Sequence, residues 1–312
     1  MKKVFKLLLK TLLFLFLFLN IIAAFHAYKF THFYDYSELT SKKPEDKSSW
    51  DKTKEIFFGI NAFKKKDSIN PDSTFQTIFL KSTTCPKLEA WYIPVKDPKG
   101  TVCMFHGHGG TKADIFKESI VFRNLGYNTL LLDFRAHGNS EGNTSTIGYY
   151  ESEDVKLAYD YIKEKDEKNI VLWGVSMGAA AISKSISDYQ LKPKKIILEM
   201  PFGSIPEAAE GRIKMMGLPG EPAATLITFW GGLEHGFWAF NMKPSQFVKK
   251  ITCPVLLQWG RKDPRVTEHE TNEIYKNISA QKKLVVYETC GHESLCKNEN
   301  EKWTNEITEF LK

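Results

Sequence analysis

The chain has 312 residues, 42% hydrophobic and 26% charged, which suits one globular domain, or one with an insertion, and places no size limit on its core. The formal charge of +6 belongs mostly to one end: Lys2, Lys3, Lys6, Lys10 and Lys29 fall within residues 1–30 with no acid among them, leaving 38 basic against 37 acidic residues elsewhere. The folded part is therefore near neutral, which argues against a nucleic-acid surface.

Leu7 to Phe25 is apolar except for Lys10, Thr11 and Asn20. A cleaved signal would have a shorter apolar region ending at a small-x-small site, and Ala23, Ala24 and Ala27 offer no clean one. Residues 1–30 therefore predict an uncleaved signal anchor, a transmembrane helix at the short end of the usual span. Lysines ahead of it predict an N-in orientation, with the rest of the chain outside the cytoplasm, on the periplasmic or extracellular side. Secretion after cleavage is the alternative. Residues 31–72, aromatic and then lysine-rich with Pro44 and Lys64-Lys65-Lys66, read as a membrane-proximal linker and lead-in helix.

From residue 73 to 312 the pattern is that of a folded domain. Thr74–Leu80 and Lys87–Val95 predict an antiparallel hairpin turning near Cys85-Pro86. Short apolar runs follow at Thr101–Phe105, Thr129–Leu132, Ile170–Trp173, Ile196–Leu198, Val255–Trp259 and Leu284–Tyr287, most of them separated by helical segments. Such alternation predicts an α/β fold, a mostly parallel sheet with helices on both faces. About fifty residues between the runs ending near Met200 and starting near Pro254 exceed what a crossover needs. The stretch from about 205 to 250 predicts a helical cap over the sheet edge. Its aromatics Phe229, Trp230, Phe237 and Trp238 are candidates to line a substrate pocket or to glue the cap down. Five cysteines cannot all pair internally. None has C-x-x-C spacing, and Cys290 with Cys296 could close a short loop if the domain is exported. Cys103 and Cys253 fit buried free thiols.

Chemistry concentrates at Asn169–Ala181, where an apolar strand turns through Gly174-Val175-Ser176-Met177-Gly178 into small, helix-compatible residues. G-x-S-x-G alone is a weak signal, but strand, elbow and helix together lift the serine out of the sheet as a candidate nucleophile. A serine hydroxyl needs a base, the base an orienting acid, and the developing oxyanion preorganised N–H donors. Chain order favours His292, in Cys290-Gly291-His292, as the base over His235 and His269. Of the two aspartates between Ser176 and His292, Asp188 falls on a helix, whereas Asp263 follows a buried strand at the sheet edge where catalytic groups collect. Glu199 is the fallback acid. The loop Phe105-His106-Gly107-His108-Gly109-Gly110 has the looseness of an oxyanion turn, with the backbone N–H of Met177 and that of His108 or Gly107 as donors. His106-x-His108 could be a metal pair, but nothing beside it completes a ligand set, so no metal and no cofactor is expected.

The ordered set of His106-Gly107, Asp133 to Ser140 (DFRAHGNS), the GVSMG elbow, Asp263 and His292 resembles the α/β-hydrolase superfamily, and is most similar to membrane-anchored bacterial members of its serine aminopeptidase-like branch. The resemblance runs from about Thr74 to the C-terminus. It implies an eight-stranded sheet, Ser176 as nucleophile, His292 as base and Asp263 as acid, and a structural turn at DFRAHGNS in which Arg135 and His137 have no catalytic role. The expected activity is hydrolysis of a small-molecule or lipid carboxylic ester through an acyl-enzyme. A serine peptidase or acyltransferase of the same fold, or a non-catalytic binding protein, are the alternatives.

Overall fold

The computed structural model describes residues 1–34, 48–67, 69, 71, 74–82 and 85–312; the expected linker around Pro44 lies outside the described residues. Helix α1 (Lys2–Thr31) leads into a small parallel pair, β1 (Phe33–Tyr34) with β2 (Ala62–Phe63), with α2 (Ser49–Phe58) between them. Next come β3 (Gln76–Leu80), β4 (Leu88–Ile93), β5 (Thr101–Phe105), α3 (Phe116–Asn124), β6 (Asn128–Leu132), α4 (Glu151–Lys163), β7 (Ile170–Val175), α5 (Met177–Tyr189) and β8 (Lys195–Glu199). The remainder comprises α6 (Ile205–Met215), α7 (Ala223–Glu234), α8 (Pro244–Phe247), β9 (Val255–Gly260), α9 (Glu268–Asn277), β10 (Lys282–Tyr287), α10 (Leu295–Asn298) and α11 (Asn300–Leu311).

Eight strands form one sheet in the order β10-β9-β8-β7-β5-β6-β4-β3. β3 and β4 form the expected antiparallel hairpin, β4 is also antiparallel to β6, and the other pairs are parallel. The continuous apolar strands are explained by two covered faces: along β5, Cys103 and Phe105 pack with Val155 of α4 and Ile182 of α5, whereas Val102 and Met104 pack with Phe122 of α3 and Trp303 of α11. β6 and β7 flank β5 on opposite sides, so the chain reverses its winding direction there. The carboxyl ends of β5 and β7 consequently open onto a crevice, the usual ligand position in such sheets.

Buried charge shapes the turn after β6. Asp133 accepts from the backbone N–H groups of Lys112 (2.7 Å) and Asn139 (2.9 Å), and the Lys112 ammonium is paired with Asp133, Asp67 (2.5 Å) and Glu89 (3.0 Å). These three carboxylates thus converge on a lysine that already occupies the cation position. A Cβ on Gly138 would lie 2.0 Å from Asp133 Oδ2, which explains its glycine. Arg135 is bound by Asp154 (2.6 Å) and Glu153 (3.0 Å).

The cysteines differ from the conditional expectation, since all five are free. Cys290 and Cys296 are separately buried at the two ends of the His292 loop, the first donating to Glu299 (3.6 Å) and the second accepting from Asn300 (3.4 Å). Cys103 is fully buried, and Cys253 is half-buried just ahead of β9.

Helix α1 is long and apolar enough to cross a membrane, with a mean hydropathy of 2.4 over its most apolar stretch. Its first eighteen residues are exposed, while Ala23, Ala27 and Thr31, spaced four apart on one face, are buried. That small-residue ridge lies against α7, where a Cβ on Gly231 would be only 3.8 Å from Ala27 Cβ. Trp230 Nε1 donates to Asn20 Oδ1 at 3.1 Å, which accounts for an amide in an otherwise greasy helix. Immediately after α1 the chain is fastened to the domain by Phe33 N–H to Asn143 O (2.7 Å) and Ser145 N–H to Thr31 O (2.8 Å).

Candidate active site

Ser176 stands between β7 and α5 with φ 54° and ψ −114°, a left-handed strain that non-glycine residues rarely carry. Both flanking glycines are required by close approach. A Cβ on Gly174 would meet the Gly178 carbonyl carbon at 2.7 Å, and one on Gly178 would meet Phe105 O at 2.3 Å. Ser176 N–H donates to Glu199 O at 2.8 Å, tying the elbow to the end of β8.

His292 Nε2 lies 2.9 Å from Ser176 Oγ, and His292 Nδ1 lies 2.7 Å from Asp263 Oδ2. The Asp263 side chain is fully buried and that of His292 nearly so. The other carboxylate oxygen of Asp263 accepts from the N–H groups of Arg265 (2.8 Å) and Val266 (3.0 Å), which fixes its plane. The two loops are bound together by Lys262 N–H to Cys290 O (2.9 Å) and Arg261 N–H to Tyr287 O (2.8 Å). Their closeness depends on Gly260, where a Cβ would sit 2.6 Å from Cys290 O and 2.7 Å from Gly291 O. Gly291, beside the histidine, has room for a Cβ. No sequence motif singled out Gly260, although a glycine ending a buried strand is the trace it leaves.

The competing residues lie elsewhere. Asp188 is on α5, paired with Lys184; His269 is in the first turn of α9; and His235 caps α7. Glu199 is buried beneath the elbow, its Oε1 accepting from the indoles of Trp173 (2.8 Å) and Trp303 (2.7 Å), and burial pushes its carboxyl up to about 8.

Gly107 lies against Ser176, a Cβ there being 3.5 Å from Ser176 Cβ. Met177 opens α5, where an N–H has no acceptor within the helix. Two buried histidines hold the 107–110 loop. His106 Nδ1 donates to Gly107 O (2.7 Å) while its Nε2 accepts from Phe134 N–H (3.2 Å); His137 Nδ1 donates to Arg135 O (2.8 Å) while its Nε2 accepts from Gly109 N–H (3.1 Å). Burial lowers His106 to about 4 and His137 to about 3, so both are neutral, with tautomers assigned from these partners. With both ring nitrogens engaged by backbone, neither is placed to ligate a metal.

A cavity opens above Ser176 and His292. Its walls come from the 107–110 loop, from α6 and α7 of the cap, and from the last turns of α1, which supply His26, Ala27, Phe30 and Thr31. Sequence reasoning gave that helix no part in the site. Its lining is mostly apolar and, among the described residues, includes no Asp or Glu. Of the four cap aromatics only Phe237 lines the cavity, stacked on Tyr149 at 4.0 Å. The other three are corrected. The phase of α7 turns Ile227, Thr228, Gly231 and Gly232 inward, so Phe229 sits on the outer surface and Trp230 faces α1. Trp238, beyond the end of α7, is exposed as well.

The family model for serine aminopeptidase, S33, matches residues 96–228, a stretch that contains Ser176. The chain is 25% identical over 228 residues to the uncharacterized protein YqkD of Bacillus subtilis, covering 72% of this chain and 75% of that one. It is 26% identical over 207 residues to the lysophosphatidylserine lipase ABHD12 of Mus musculus, covering 62% of this chain and 49% of the relative, so it spans about half the length of that protein. An esterase from Pyrococcus furiosus has the same fold, with a TM-score of 0.68 and 23% identity, covering 81% of this chain and 97% of the esterase. An acetyl xylan esterase from Thermoanaerobacterium aligns with a TM-score of 0.59 and 16% identity, over 80% of this chain and 87% of that one. The strand order, the elbow and these likenesses together show that the chain has the α/β-hydrolase fold.

Proposed function

We propose that this protein is a membrane-anchored serine hydrolase that cleaves carboxylic esters through an acyl-enzyme. The observation that carries the proposal is the unbroken relay from Ser176 Oγ through His292 to Asp263, at 2.9 and 2.7 Å. In this reading Ser176 Oγ attacks the ester carbonyl while His292 Nε2 takes its proton. Asp263 keeps the Nδ1–H tautomer and stabilises the imidazolium that forms. The N–H of Met177, with that of His108 or Gly107, receives the oxyanion. His292 then returns the proton to the leaving alkoxide, and a water activated by the same imidazole releases the acid and frees the serine.

An ester is favoured over an aminopeptidase substrate because, among the described residues, no carboxylate lines the cavity to hold a free α-amino group. The name of the ABHD12 relatives makes lysophospholipids a natural first class of ester to test. We assign α1 as the anchor, with residues 73–312 as the hydrolase domain outside the cytoplasm, on the strength of the lysines that precede the apolar run.

The test uses the full chain in neutral detergent micelles, because α1 walls the cavity. A series of p-nitrophenyl esters from two to sixteen carbons is expected to be hydrolysed with one preferred length. Ser176→Ala is expected to abolish turnover and fluorophosphonate labelling, and Asp263→Asn to lower kcat by about four orders of magnitude. Labelling that persists in Ser176→Ala would refute the nucleophile. Labelling of the natural protein without ester turnover would move the assignment to a peptidase or acyltransferase.

A further inference from the structure

Two arginines face the cavity without an acid. Arg212 of α6 and Arg265, two residues beyond Asp263, line the same space as Ser176 and His292. Gly211 brings them together, since a Cβ there would lie 2.4 Å from Arg265 O and α6 could not otherwise rest on that loop. The Arg212 guanidinium stands over the ring of Phe30 at 4.3 Å, and the same ring stacks on His108 at 4.6 Å. Among the described residues neither guanidinium is paired with a carboxylate. Arg135 and Arg261, by contrast, are held by two acids each.

A desolvated cation beside a second cation is costly unless an anion joins them. Burial, and then the like charge of Arg265, push Arg212 down to about 10, where it still carries its proton at neutral pH. Most of the rest of the lining, including Phe202, Ala208, Ile213 and Ile227, is apolar. A ligand that satisfies both halves is an amphiphile with an anionic group. Guanidinium forks match tetrahedral phosphate oxygens, and two of them suit one phosphate.

We propose that Arg212 and Arg265 form the subsite for the phosphate group of a phosphate-bearing acyl ester whose carbonyl lies at Ser176. This rests on the ester-hydrolase reading above and adds the substrate's charge and chemical class. The arginines position the head group, Ser176 and His292 act on the ester, and the apolar lining takes the acyl chain.

The experiment compares lauroyl lysophosphatidic acid with monolauroylglycerol, both in neutral detergent micelles with the full-length protein. The ratio of their kcat/KM values is expected to fall about ten- to a hundredfold in Arg212→Gln and in Arg265→Gln, the size of a lost charge-assisted contact. A merely structural role would lower both substrates together, and an unmoved ratio overturns the proposal. Binding supplies a second readout independent of turnover. Full-length Ser176→Ala is titrated with dodecyl phosphate, with dodecyl glycerol ether and with inorganic phosphate. Tighter binding of dodecyl phosphate than of either of the others, weakened by the added Arg212→Gln change, upholds the subsite even if no ester is turned over. Equal binding of the two amphiphiles refutes the phosphate site, and inorganic phosphate binding as tightly as dodecyl phosphate refutes the amphiphile.

Discussion

Gly260→Ala isolates the geometry of the His292 loop from its chemistry. The substitution adds one methyl group at a position whose backbone is not left-handed, so the alanine itself is unstrained.

 The added Cβ would sit 2.6 Å from Cys290 O and 2.7 Å from Gly291 O, whereas ordinary contact begins at 3.4 Å. Both obstacles are backbone, so the loop must withdraw by about 0.8 Å rather than turn a side chain aside. A withdrawal of that size takes His292 Nε2 from 2.9 Å to about 3.7 Å from Ser176 Oγ, outside hydrogen-bond reach. The expected result is a kcat on p-nitrophenyl esters lower by about a hundredfold, with KM changed little. Overpacking is expected to cost about 1–3 kcal/mol of stability, so circular dichroism should still report a folded domain. Gly291→Ala is the comparison, since its Cβ meets Lys262 O at 3.4 Å and demands no movement. Equal kcat values for the two variants would refute the argument that Gly260 sets the position of His292.

Glu199 predicts a pH effect on stability. Its folded value of about 8 lies above the ordinary 4.5, so between those values the folded protein holds a proton that the unfolded chain has lost. Its contribution is full below about pH 4.5 and declines as pH rises towards 8. Glu199→Gln has no proton to lose, and its carbonyl can still accept from Trp173 and Trp303. Its melting temperature is expected to rise relative to that of the natural protein between pH 5 and pH 9; a difference that stays constant over that range would refute the assignment. Truncation tests the role of α1 in the site. A chain beginning at Asn20 keeps the turns that pack on α7 and is expected to retain hydrolysis of short esters. One beginning at His32 loses Ala23, Ala27, Phe30 and Thr31, and is expected to melt roughly 4–8 °C lower, for about 2 kcal/mol of lost packing, with severely reduced turnover. Equal turnover by the two truncations would show that α1 is only a tether.

Much of the architecture was legible because it rests on local signals. Near-continuous apolar runs at β5, β7, β8 and β9 declared strands covered on both faces, and the glycines around Ser176 declared a turn too tight for side chains. Chain order and strand ends were enough to nominate His292 and Asp263, which the fold brings within hydrogen-bond distance of one another and of Ser176. The cap was visible as an interval too long for a crossover. Which of its aromatics face inward was not, because that depends for Phe229 and Trp230 on the rotation of α7, which is apolar on both sides, and for Phe237 and Trp238 on the path of the chain after it.

The sequence by itself determined the elements, the sheet's covered faces and the nomination of Ser176, His292 and Asp263, since these follow from periodicity, chain order and the conformational demands of single residues. Tertiary structure decided the rest. Nothing local marks Gly260 as the contact that seats the His292 loop, Gly211 as the contact that sets Arg212 beside Arg265, or Phe30 as a wall of the cavity. Those roles exist only where distant segments meet, and a long apolar run looks the same in sequence whether its last turns end in solvent or over the cavity above Ser176.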